Sequence, residues 1–238
     1  MNAAKILLIS EEPNILRILR RNLTSRGYDV SIALDDQEVA EMISSDEFDL
    51  YILDLDFKSA KIDGLAICCH IRELSYAPII VLSTIGAETL KIKALDLGAD
   101  DYLVMPFAMG EFLARVRSAL RRWATYQINT ANKNKVILIG DLMIDPESRL
   151  VTIKGSEIHL TPIEYDLLYY LAQNSGKVIT HRKLLQSVWG AEYGEEREYL
   201  RVFISQLRRK IESNPLRPTY ILTEPGVGYR FARDKRDK

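Results

Sequence analysis

The 238-residue chain has two cysteines, three histidines and no glycine-rich phosphate loop. Each scarcity excludes something. Cys68 and Cys69 are adjacent on a helical stretch, so no disulfide framework is available and a reducing, cytoplasmic setting is expected. His70, His159 and His181 have no partners at metal-ligand spacing, which leaves them core, surface or capping roles. No apolar run approaches the roughly 18 residues of a membrane span, and none of the usual signal-peptide pattern fits the short apolar part of MNAAKILLIS. Membrane insertion is therefore not expected. Without a phosphate-cradling loop or a nucleophile–base pair, an enzyme built on a flavodoxin-like catalytic domain is the poorer of the possible readings.

Charge is scarce only in the total. The formal net charge is −1, yet residues 1–123 carry 14 Lys+Arg against 19 Asp+Glu, and residues 124–238 carry 18 against 14. An acidic half joined to a basic half suggests a nucleic-acid module attached to something else. The length suits two domains, each able to bury its own core. The division is read as residues 1–122, a linker at 123–135 rich in Asn and Thr, and a second domain at 136–234.

In the first half, apolar runs alternate with helical periodicity. Strands are expected at Lys5–Ile9, Asp29–Ala33, Leu50–Leu53, Ile79–Leu82 and Asp101–Val104. Helices are expected after Pro13, where Ile15, Ile18, Leu19 and Leu23 recur up to an end at Gly27, and near Asp36–Ser44, Leu65–Leu74, Glu88–Leu97 and Met109–Arg121. Five such units argue for an α/β doubly wound, five-stranded parallel sheet. Ligands of such sheets bind at the carboxyl ends of the strands. Those ends carry Ser10, Glu11 and Glu12, then Asp54, then Ser83 and Thr84, then Met105 and Pro106. Glu11 and Asp54, meeting in one cleft, could hold Mg²⁺. Asp54 could attack phosphorus, with Ser83 donating to a phosphoryl oxygen. The bland alternative is that these acids are simply solvated.

The second half is read as an α+β winged helix-turn-helix domain. Short strands are expected at Val136–Ile139, Leu142–Ile144, Arg149–Ile153 and Glu157–Leu160. Thr161, Pro162 and Glu164 form a capping box with a first-turn proline. Thr180 caps a second helix over His181–Val188. Trp189 and Gly190 end it, and a buried structural place suits Trp189. In Glu195–Ile211, Leu200, Ile204, Leu207 and Ile211 make an apolar stripe. The remaining face carries Tyr199, Arg201, Val202, Ser205, Gln206, Arg208 and Arg209. That pattern suits a solvated surface helix as well as a helix in a DNA major groove, where Arg forks onto guanine or phosphate and Gln reads adenine. The residues beyond the helix break the tie. Asn214 and Pro215 stop it, and TYILTEPGVGYRF reads as a hairpin carrying Arg230. From residue 197 onward there are 11 Lys+Arg against 5 Asp+Glu, the footprint of a phosphate-binding surface.

Specific wording adds a resemblance that covers essentially the whole chain. SEEPNI, ILD, VLS, LGADDYL and the Pro106–Phe107 pair resemble the receiver domain of two-component response regulators. LTPIEYDLL, LRVFISQLRRKIE and PGVGYRF resemble the winged-helix output domain of the OmpR/PhoB subfamily, with wording most similar to its KdpE-type members. The resemblance implies a DNA-binding transcriptional regulator with Asp54 at the phosphoacceptor position and Ser83 and Tyr102 at the switch positions. It implies as partners double-stranded promoter DNA, a sensor histidine kinase, RNA polymerase and a second copy of the chain. That copy would be joined through salt bridges among Lys91, Asp100, Asp101, Glu111, Arg115 and Arg122. The receiver departs from its pattern where Ser10 replaces an acid, Glu11 an aspartate and Met105 a lysine. The loop after Asp54 is also lengthened and lacks proline. A methionine cannot pair with a phosphoryl group as a lysine does, and Lys58 or Lys61 in the long loop would be the substitute charges. The expectation is a receiver whose activity does not depend on phosphorylation. The alternatives are conventional phosphorylation at Asp54, or a receiver that serves only as a protein-interaction platform.

Overall fold

The computed structural model describes residues 3–56, 63–127 and 136–233. The chain divides into two compact units, one up to Trp123 and one from Ala124. No helix among the described residues is long and apolar enough to cross a membrane.

The first unit runs β1 (Lys5–Ile9), α1 (Pro13–Thr24), β2 (Asp29–Ala33), α2 (Asp36–Ser45), β3 (Leu50–Asp54), α3 (Gly64–Leu74), β4 (Ile79–Ser83), α4 (Glu88–Asp96), β5 (Asp101–Val104) and α5 (Met109–Gln127). All neighbouring strands are parallel, in the order β2-β1-β3-β4-β5. This is the five-stranded doubly wound sheet that the alternation predicts. β3 and β4 are buried along their full length, as strands covered on both faces must be. Leu8, Ile52, Leu82, Leu103, Phe112 and Val116 lie in one apolar core, each such side chain contributing about 1.5–3 kcal/mol by leaving water. Side-chain caps start three helices: Glu12 for α1, Asp35 for α2 and Asp63 for α3. Cys68 is fully buried and burial pushes its thiol up to about 12, so it behaves as a small apolar core residue. α5 does not stop at Arg121. It continues to Gln127, because Arg121, Arg122, Trp123, Ala124 and Gln127 are all compatible with a helix and no breaker intervenes.

The second unit begins with a four-stranded antiparallel sheet, β6 (Ile137–Ile139), β7 (Leu142–Asp145), β8 (Leu150–Ile153) and β9 (Ser156–Glu157). β9 is only two residues long; the chain leaves the sheet before Leu160, whose side chain is buried instead. α6 (Pro162–Gln173), β10 (Val178–Thr180), α7 (His181–Val188), α8 (Arg197–Ile211), β11 (Ile221–Glu224) and β12 (Gly228–Phe231) complete it. The capping box forms as expected, with Glu164 accepting from the Thr161 amide at 2.8 Å and Thr161 accepting from the Glu164 amide at 3.3 Å. The second Glu164 contact is Lys210 of α8, at 2.6 Å, which joins the two helices at a buried carboxylate. β10 is an addition that the sequence reading does not contain. It pairs with β12 and makes the hairpin three-stranded, in the order β10-β12-β11. Gly228 permits this pairing, since a Cβ there would run into the Ile179 carbonyl.

The end of α8 is tied to the start of β11 by one residue. Glu212 is buried and accepts from the Thr219 amide (2.7 Å), the Thr219 hydroxyl (3.0 Å), the Tyr220 amide (2.8 Å) and the Ile221 amide (2.9 Å). Four donors on one carboxylate are a strong local constraint. Glu212→Ala leaves them unsatisfied and is expected to destabilise the second unit by about 2–4 kcal/mol, measured as a loss of hydrogen-exchange protection at the β11 amides; unchanged protection would refute this role.

Candidate nucleic-acid interface and receiver pocket

In the first unit the strand order reverses between β1 and β3, so their carboxyl ends open on one crevice. Ile9 pairs with Leu53, which sets Ser10 opposite Asp54. The Ser10 hydroxyl donates to Asp54 Oδ2 at 2.8 Å, and the Asp56 amide donates to Oδ1 at 3.0 Å. Thr84 donates to Asp56 through both its amide (3.0 Å) and its hydroxyl (2.7 Å). Glu11, Glu12, Ile15, Asp54, Asp56, Thr84 and Met105 line a cavity of about 360 Å³. Asp54 is 4% exposed. Burial pushes its carboxyl above the usual range; the Ser10 and Asp56 hydrogen bonds oppose that rise, while the charges of Asp56 and Glu12 add to it.

A hard cation needs several carboxylate oxygens turned toward one point. Both Asp54 oxygens already accept a protein hydrogen bond. Glu12 is turned onto the amide and side chain of Asn14, and Asp56 onto Thr84. Among the described residues, no three of His, Cys, Asp or Glu come together as a metal group. Glu11 and Asp54, the pair expected to hold Mg²⁺, both line this cavity. Met105 packs with Ile15 and Phe107 against the apolar core and brings no charge to the cavity. Lys58 and Lys61 lie outside the described residues. Ser83 is fully buried and its hydroxyl accepts from the Ile85 amide at 3.1 Å. The Tyr102 hydroxyl donates to the Ile85 carbonyl at 2.6 Å, which brings both switch positions onto the same loop residue.

The charges expected to bridge two copies make bonds inside one chain. Arg115 contacts Asp101 at 2.7 Å and Glu111 at 2.8 Å, and Asp100 is held by Arg72 at 2.6 Å. Arg122 donates to Ser118 at 2.9 Å. The reason is register: β5 faces α5, and Glu111 and Arg115 are one helical turn apart. Lys91 is half-buried.

In the second unit, α8 presents its apolar stripe inward and adds Phe203 to it. Two residues assigned to the DNA face need correction. Tyr199 is fully buried, with its ring 6.0 Å from Trp189 and 6.4 Å from Tyr193, and Val202 is buried at 5% exposure. Trp189 is itself fully buried against Phe203, so its role is the core. Arg201 and Arg209 are exposed, and Ser205, Gln206 and Arg208 are half-buried. Arg208 is bound differently from its neighbours. Its guanidinium donates to the Ile221 carbonyl from Nε (3.1 Å) and Nη2 (2.6 Å), and to the Thr223 hydroxyl (2.9 Å). It clamps the helix to the hairpin before any DNA is present. Arg230 pairs with Glu224 across the hairpin at 2.8 Å. The sequence reading missed the clamp by Arg208 and the clasp by Glu212. The signal for both was available: two charged residues at the end of a helix, with a strand rich in donors and acceptors close behind.

Comparisons with known proteins match a family to each unit. A family model described as "Response regulator receiver domain" matches residues 6–117, and one described as "Transcriptional regulatory protein, C terminal" matches residues 155–231. The transcriptional regulatory protein KdpE of Mycobacterium tuberculosis is 43% identical over 229 residues, covering 95% of this chain and 98% of the relative. The KDP operon transcriptional regulatory protein KdpE of Escherichia coli is 41% identical over 226 residues, with the same coverages. Among solved structures, the response regulator DrrB of Thermotoga maritima, an OmpR/PhoB homologue, is 31% identical with a TM-score of 0.50, covering 97% of this chain and 100% of that one.

Asp54→Asn removes the buried charge while its oxygen can still accept from the Asp56 amide and its NH₂ can donate to the Ser10 hydroxyl, reversing that bond. Because the folded carboxyl sits above its unfolded value, wild-type stability falls as pH rises from the ordinary aspartate range through the folded value. The variant should therefore unfold at a higher temperature than wild type at pH 7. Its advantage should shrink as the pH approaches about 4. Equal melting temperatures at pH 7 would contradict the burial argument.

Proposed function

This chain belongs to the OmpR/PhoB-type response regulators, the DNA-binding transcriptional regulators of two-component systems, and from that premise we propose how its residues divide the work. Arg201 and Gln206 read base edges from α8 in the major groove, with Ser205 close enough to contact them. Arg209 contacts phosphate, and Arg230 reaches the minor groove from the wing. The observation that carries this reading is the Arg208 clamp, which fixes the angle between α8 and the hairpin. A helix and wing held rigidly lose little freedom on binding, and so more of the contact energy appears as affinity.

The receiver sets the availability of that surface. Asp54 is held by Ser10 and Asp56 with Met105 beside it, and no described cation would meet a phosphoryl group there. Phosphate then has little differential interaction with two receiver states, and a ligand shifts an equilibrium only by such a difference. The active population is set by packing and by a two-fold dimer through the α4–β5–α5 face. Arg115 already has Asp101 and Glu111 as partners within the chain and Leu95 is buried in its own unit, so the dimer's apolar contacts would rest on the half-buried Ile92. A sensor histidine kinase and RNA polymerase are the further partners that this role implies.

The test uses an operator selected from random duplexes. Arg201→Ala and Gln206→Ala should each weaken that operator by about 1–3 kcal/mol and relax one base position. Arg209→Ala should weaken all duplexes alike and reduce the salt slope by about one. If the triple variant binds the operator as tightly as wild type at physiological salt, α8 is not the reading helix.

A further inference from the structure

His181 stands on the second unit at the edge of the surface that those contacts use. It is the first residue of α7, and its amide donates to the Val227 carbonyl of the wing turn at 3.1 Å. Its imidazole lies edge-on to Tyr229 of β12, with ring centroids 5.6 Å apart and planes at 89°. Tyr229 pairs across the hairpin with Thr223, the residue that the Arg208 guanidinium holds. That contact fixes the direction of one stripe of α8. Arg197, Arg201, Ser205 and Arg208 recur at steps of four, four and three, so they share a face, and Arg208 shows that this face is turned to the hairpin. His181 is therefore set beside a row of arginines, on a ledge shared by α7, α8 and the wing.

Each element packed around the imidazole contributes a group. α8 brings Arg197 and Arg201, β12 brings the Tyr229 ring, and the wing turn brings the Val227 carbonyl. Both charges that act on it are positive, and with its partial burial they hold the free imidazole below its ordinary range, burial being the larger cause. At neutral pH the ring is thus an uncharged group in a cationic setting. A DNA phosphate brought against the same row would reverse that setting, because a negative charge close to a histidine favours its protonated form.

We propose that His181 is a proton-linked phosphate contact: neutral when the domain is free, and protonated when a backbone phosphate of duplex DNA docks between it and the Arg197–Arg201 row. The proton comes from solvent, and the imidazolium donates to a non-bridging phosphate oxygen. The inference deepens the reading of this domain as a DNA binder and rests on it. Its consequence is a regulatory one, since affinity for DNA then depends on pH without any change in the receiver. The sign follows from linkage. Binding raises the proton affinity of the ring, so DNA affinity rises as pH falls through the value of the bound state, and levels off below the lower value of the free state.

The experiment measures binding of the full chain to a mixed-sequence DNA duplex by fluorescence anisotropy, at constant ionic strength, between about pH 5 and 8. Wild type should gain about tenfold in affinity as pH falls across that range, equivalent to ~1.4 kcal/mol. His181→Gln should bind with a nearly flat profile near the wild-type value at the alkaline end, and His181→Arg should bind tightly throughout. Calorimetry of wild type near pH 7, in two buffers of different ionisation enthalpy, should show net proton uptake that His181→Gln lacks. Parallel pH profiles for wild type and His181→Gln, or no difference in proton uptake, would overturn the proposal while leaving the DNA reading intact. Absence of duplex binding by wild type at every pH would overturn both.

Discussion

The second unit depends on the tie between the last turns of α8 and the strand beyond it. Two side chains make that tie from opposite charges. Arg208 donates to the Ile221 carbonyl and the Thr223 hydroxyl, and Glu212 accepts the Thr219, Tyr220 and Ile221 amides. Between them they satisfy backbone groups on both sides of the first residues of β11, which a short loop could not otherwise position. The helix is held in one rotation about its axis, with Leu200, Ile204, Leu207 and Ile211 buried. The polar face is set by the same constraint. Charged hydrogen bonds of this kind hold geometry more firmly than neutral ones, and a reading surface needs geometry held to a fraction of an ångström.

The first unit shows the converse, a site whose parts are present but rearranged. Sheet order places Ser10 against Asp54, and the hydroxyl–carboxylate bond at 2.8 Å occupies the oxygen that faces the β1 end. An acid at residue 10 would repel Asp54 and draw a cation between them; a serine bonds to it directly. Met105, like Ile15 and Phe107, is partly buried against the apolar core, where a lysine would have to extend toward Asp54 to keep its charge solvated. Both changes act in the same direction. They leave fewer charges in the crevice, and Ser10 adds a hydrogen bond to Asp54. Ser83 and Tyr102, which the resemblance places at the switch positions, both hydrogen-bond to Ile85.

Much of this was legible in the residues. The alternation of apolar strands with amphipathic helices pointed to the parallel sheet, and strand order then comes from right-handed crossovers. The Thr161–Glu164 capping box and the Thr180 cap were readable because their partners are local in sequence. Tyr199 and Val202 were misassigned because a helical wheel separates faces but does not say how wide the buried face is. Here the aromatic group of Trp189, Tyr193 and Phe203 widens it. β10 was missed because three residues carry no period, and only the missing side chain of Gly228 lets it approach so closely. The Asp101–Arg115 and Arg72–Asp100 pairs within the chain were not read from the sequence, because spacing gives the charges without their direction.

The proposal that DNA competence in this regulator is set by packing, rather than by phosphate on Asp54, has one direct measurement. Operator affinity of the full chain is determined before and after incubation with acetyl phosphate and Mg²⁺, with labelling monitored by intact mass. Substoichiometric labelling is expected, with a change in affinity of less than about tenfold, or ~1.4 kcal/mol. Stoichiometric labelling of Asp54, with affinity rising about a hundredfold or more, would contradict it.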